Sequence, residues 1–73
     1  MNNDSGDRIK KIISNIRQMR LDKNYTQDYM AMKLNISQNA YSKLELGRSS
    51  LSLDRLFQIS AVLEIEISEL FCN

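Results

Sequence analysis

Gln38 and Asn39 stand side by side behind Ser37, and Ser42 and Lys43 follow one helical turn later. An amide both donates and accepts, so Gln or Asn can pair in bidentate fashion with N6 and N7 of adenine. Each good pair gives about 1–3 kcal/mol of discrimination against the wrong base. A hydroxyl and an ammonium one turn further on can reach a base edge or a phosphate. The plainer account of these four residues is a solvated helix face, and Lys43 alone distinguishes nothing. Their setting decides between the two accounts.

Other chemistries find little to work with. The chain has no His, two Gly and one Cys. It contains no phosphate-binding Gly loop, no metal-ligand spacing and no Cys nucleophile with a base beside it. No enzyme, no metal and no cofactor is expected. Cys72 excludes an internal disulfide, which fits a reducing cytoplasm. Met1 to Asp7 lacks a signal pattern, and no apolar run approaches the roughly 20 residues of a membrane helix. A soluble, cytoplasmic protein is expected.

The 73 residues make one domain. A chain this short buries only about 60% of the surface its unfolded form exposes, so packing or dimerisation must supply stability. Pro is absent and the apolar residues are chiefly Ile, Leu and Met, which suits an all-α domain. The net charge is only +1, but it is unevenly spread. All ten basic residues lie between Arg8 and Arg55 against four acids (Asp22, Asp28, Glu45, Asp54), leaving +6. Beyond Arg55 come Glu64, Glu66 and Glu69 and no base. Such a chain can turn one end to phosphate and the other to a partner. Charges sorted by chance would look the same.

The elements that position these residues are legible from periodicity and caps. Residues 1–6 read as a flexible lead-in and 7–73 as the domain. Asp7 is the expected cap of a first helix reaching Leu21 or Lys23, with Ile9, Ile12, Ile13, Ile16 and Arg20 on one face. Arg20 on an apolar stripe marks either a frayed end or a buried cation needing a partner. Asn24 suits the helix end. Thr26 caps a second helix, Gln27 to Leu34, with Met30, Ala31 and Leu34 inward and Tyr29 and Met32 outward. Asn35 fits a turn with positive φ, and Ile36 plugs it into the core. Ser37 caps a third helix, Gln38 to Leu46, closed by Gly47. Its inner face is Tyr41, Leu44 and Glu45, and its outer face Gln38, Asn39, Ser42 and Lys43. Ser52 caps a fourth helix carrying Leu53, Leu56, Ile59, Ser60 and Leu63, and Ser68 to Phe71 make a last helical turn. From Thr26 to Arg48 this is the sequence form of a helix-turn-helix.

Thr26-Gln27, Ala31, Ser37-Gln38, Tyr41-Ser42-Lys43-Leu44-Glu45, Gly47, Ser52-Leu53 and Glu69-Leu70-Phe71 resemble the Cro/repressor-like (xenobiotic-response-element) helix-turn-helix family. The resemblance covers roughly Ile16 to Phe71. It implies a compact five-helix, lambda-repressor-like domain that binds double-stranded DNA as a homodimer on a palindromic operator, as a transcriptional repressor or related regulator. Gln38 and Asn39 would read bases, Ser42 and Lys43 would reach base or phosphate, and Gln27, Ser37 and Arg48 would hold the backbone. The family pattern also implies an ion pair of Arg20 with Glu45, and a dimer surface including Leu51, Ile65, Ile67 and Phe71. Core packing explains at least half of these four apolar residues equally well. Asn24, Asn35 and Glu64 stand where the family often has Gly, and Leu51 where Pro is frequent. Asn is a mild replacement in a left-handed position and Glu is not, so the end of helix 4 is expected to differ. The competing function is a protein-interaction module, such as an antitoxin masking a toxin.

Overall fold

The computed structural model describes residues 4–72. Four α-helices follow one another, α1 (Asp4–Asp22), α2 (Gln27–Leu34), α3 (Gln38–Glu45) and α4 (Leu53–Leu63), and a short 3-10 helix (Ile67–Phe71) closes the domain. The last helical turn expected over Ser68 to Phe71, the fifth helix that the resemblance implies, is a 3-10 segment that starts one residue earlier. Its bonds run from the Glu69 amide to the Glu66 carbonyl and from the Cys72 amide to the Glu69 carbonyl, and five residues are too few to propagate α-type bonding. Helix α1 begins at Asp4, three residues before the expected cap at Asp7. Nothing between Asp4 and Asp7 forbids helical dihedrals; residues 1–3 of the expected lead-in lie outside the described residues.

Three helices start on a hydroxyl. Thr26, Ser37 and Ser52 accept from the amides of Tyr29, Ala40 and Arg55 at 2.9–3.0 Å, each satisfying a donor the helix leaves over. All four helices end alike. Asn24, Asn35, Gly47 and Glu64 adopt left-handed φ of 61°, 61°, 75° and 60°. Around each, two amides fold back on the last turn, as when Asn35 N donates to Met32 O and Ile36 N to Ala31 O. Arg48 N on Lys43 O and Ile65 N on Ser60 O close α3 and α4 in the same way. Glu64 thus keeps the left-handed end of α4 that its side chain was expected to disturb. Helix α3 stops at Glu45, one residue short of expectation, because Leu46 already leads into Gly47.

Tyr25, Ile36 and Ile65, the residues after three of these turns, are half-buried against the core. Ile16, Met30, Tyr41, Ile59, Leu63 and Leu70 are fully enclosed in it. Two stripe positions are not covered: Ile9 and Leu53 remain 50% and 62% exposed, since each lies in a terminal part of its helix that no neighbour overlies. Tyr29, expected outward, is half-buried and stacks on Tyr25 with ring centroids 4.4 Å apart. Asn15 ties the chain end to α1, its amide donating to the carbonyls of Leu70 (2.9 Å) and Cys72 (2.6 Å). No helix among the described residues is long and apolar enough to cross a membrane.

Candidate nucleic-acid interface

Helix α3 is held by its inner face and offered by its outer one. Tyr41 and Leu44 are buried, and Glu45 joins them as the hub of a polar network. The Arg20 guanidinium grips Glu45 at both ends, Nε to Oε2 at 2.6 Å and Nη2 to Oε1 at 3.1 Å. Its Nη1 donates to the Tyr25 carbonyl at 2.8 Å. The Tyr41 hydroxyl donates to Oε2 at 2.5 Å and the Gln27 amide to Oε1 at 3.1 Å. The Arg20 and Glu45 side chains are only 9% and 3% exposed. No buried side-chain nitrogen or oxygen lacks a partner among the described residues, so the network is closed.

The protonation states follow from this geometry. Burial alone would raise the Glu45 carboxyl, but hydrogen bonds from Arg20, Tyr41 and Gln27 outweigh it and hold the carboxyl below its ordinary value. The hydrogen bonds that Arg20 donates to Glu45 raise the Arg20 guanidinium above its ordinary value. Burial, then the Glu45 carboxylate, push the Tyr41 phenol well up, so it stays a donor.

The other face of α3 looks outward. At 100° per residue, Asn39 and Lys43 lie opposite the buried face, flanked by Gln38 and Ser42 on the side of Glu45. Gln38, Asn39 and Lys43 are exposed and Ser42 is half-buried. None of the four has a side-chain hydrogen bond or ion pair among the described residues. Gln27, expected at the DNA backbone, is drawn inward. One of its amide hydrogens is on Glu45, and the second has no partner among the described residues. Ser37 is exposed with its oxygen on the Ala40 amide. Arg48 is exposed just past the left-handed Gly47.

On its far flank, α3 borders a groove of about 370 Å³ lined by Ser37, Asn39, Lys43, Ser49, Ser50 and Arg55. Ser49, Ser50 and Arg55 were not among the expected site residues. In the sequence, Arg55 only marks the end of the basic stretch, and nothing local shows that α4 brings it back to α3. The apolar set expected at a dimer surface divides. Leu51, Ile65 and Ile67 are half-buried against the core, whereas Phe71 is 51% exposed. Phe57, unnoticed in the sequence, is 52% exposed.

The described residues make an all-helical domain with short hydroxyl-capped helices and one polar outer helix face, an architecture compatible with the helix-turn-helix class. A family model described as Helix-turn-helix matches residues 16–70, and the chain belongs to that family, in its Cro/repressor-like, xenobiotic-response-element form. It is a family of DNA-binding regulators. Comparison with curated proteins and with solved structures found no match.

Proposed function

We propose that the chain is a sequence-specific transcriptional regulator in which α2 and α3 form the helix-turn-helix and α3 enters the major groove. Binding is to a palindromic operator as a homodimer. The observation that carries this reading is the division of α3. Its inner face is locked by Glu45, while the side chains of Gln38, Asn39, Ser42 and Lys43 make no hydrogen bond or ion pair among the described residues. A rigid reader with uncommitted amides at its start suits base recognition. The Glu45 contact also orients Gln27, so that its second amide hydrogen, with Ser37 and Arg48, serves the DNA backbone on either side of the reader.

Selection from random double-stranded DNA followed by gel shift tests this directly. A discrete palindromic site should emerge, and Gln38→Ala should flatten preference at one position of each half-site by about 1–3 kcal/mol. Folding should be unaffected, because Gln38 is exposed. If no sequence is selected, the polar face serves a protein partner instead, as in an antitoxin, and the DNA reading fails.

A further inference from the structure

We propose that the groove between α2 and α4 docks an acidic segment of a partner protein, with Lys33 and Arg55 as its anchors. The groove measures about 560 Å³ and is open to solvent rather than enclosed. Leu34 and Ile36 at the end of α2, with Ala61 and Val62 on α4, give it apolar surface beside the amides of Asn35 and Gln58. Lys33 and Arg55 add two cations, and no acid lines it. No residue of α3 lines it either, so the groove is separate from the helix face given to DNA.

Both cations are held by neutral groups. Lys33 Nζ stands over the Tyr29 ring, 5.9 Å from its centroid. Arg55 Nη1 donates to Gln58 Oε1 at 2.9 Å, and the Gln58 amide in turn donates to Asp54 Oδ2 at 3.1 Å. Neither cation has a carboxylate within ion-pair distance among the described residues, whose salt bridges are Arg20–Glu45 and Lys23–Glu64. Each is steadied without being neutralised, and together they make the potential over an apolar surface positive. A complementary occupant needs carboxylates for the cations and an apolar side chain to cover Ile36 and Val62. An acidic peptide segment has both. A phosphodiester has no apolar group for that floor, and a small anion would leave most of it wet. The open shape suits a chain segment laid along two helices rather than an enclosed small molecule. The C-terminal acids of a second copy match less well. Glu66 and Glu69 cap the 3-10 helix, and Ile65 and Ile67 beside them pack on their own core.

The test selects peptides from a random phage-displayed library against the full chain, then measures binding of the synthesised winners. These should carry Asp or Glu around an apolar residue, and their Asn or Gln counterparts should bind roughly ten-fold more weakly. Lys33→Glu and Ala61→Glu, both at exposed positions, should weaken the acidic peptide by roughly ten-fold or more, because like charges then face each other. Both variants should keep the wild-type melting temperature, and Gln38→Ala should keep the peptide affinity. Amide shifts in NMR spectra on adding the peptide should fall at Lys33, Asn35, Gln58 and Val62. Selection of peptides without acids, or unchanged peptide affinity in both variants, would overturn the proposal. Unchanged peptide binding by Lys33→Glu with weaker binding to every DNA sequence would give the groove to phosphate instead. Dissociation of a wild-type dimer by Ala61→Glu, with no acidic peptide selected, would give it to a second copy.

Discussion

Glu45 accepts four hydrogen bonds on two oxygens, so it decides whether α1, α2 and α3 stay in register. Removing one member of a buried, bonded pair strands the other charge and typically costs about 3–5 kcal/mol. For so short a chain that is a large share of total stability. Glu45→Gln keeps the size and loses the charge, so it should cost close to that at neutral pH. The pH dependence has a definite sign. The folded carboxyl is held below its unfolded value, so its contribution is present above about pH 4.3 and is lost as pH falls through the lower, folded value. The stability gap between wild type and Glu45→Gln, read by urea denaturation, should therefore close in acid. A gap that stays constant from neutral to acid pH would mean that the charge on Glu45 does not hold the fold.

The helices were legible in the sequence where their determinants are local. A hydroxyl three residues before its amide identifies Thr26, Ser37 and Ser52 as caps, and Asn35 and Gly47 announce their left-handed ends. What depends on neighbours was not legible. Periodicity put Ile9 and Leu53 on apolar faces but could not show that those faces run past the elements covering them. Nor could it show the Tyr25–Tyr29 stack, or the return of Arg55 to α3. Glu64 is the informative case, a non-glycine residue at φ 60° where only glycine is free of strain. Left-handed geometry costs a residue with a Cβ roughly 1–2 kcal/mol, partly offset by the greater chain entropy of glycine. The Lys23 contact of Glu64, at 3.6 Å to a carboxylate 77% exposed, adds little. Glu64→Gly should therefore stabilise by about 1 kcal/mol and raise the melting temperature by about 4–8 °C. Gly47→Ala should cost a similar amount through its φ of +75° alone, because the added Cβ meets only Ile13 Cδ1, at 3.6 Å. Equal melting temperatures for wild type and Glu64→Gly would show that the turn carries no strain.

At the scale of the whole molecule, charge is sorted along the chain. The basic residues stop at Arg55, and the last acids surround the 3-10 helix, where Phe71 is 51% exposed. Phe57 on α4 is 52% exposed. One reader helix spans only a few base pairs, so a two-fold pair with half-sites roughly 34–36 Å apart gives more sequence information than one copy can. If the C-terminal end joins the two copies, its apolar residues must act differently. Ile67 is half-buried against its own core, so Ile67→Ser should lower the melting temperature. Phe71→Ser removes an exposed side chain and should leave folding intact. It should shift sedimentation from a dimer toward the 8.5 kDa monomer and require a higher protein concentration to fill a palindromic site, with binding to a single half-site unchanged. A wild-type protein that sediments as a monomer both free and on its selected operator would remove the C-terminal dimer, and Phe71 would then be an ordinary exposed aromatic.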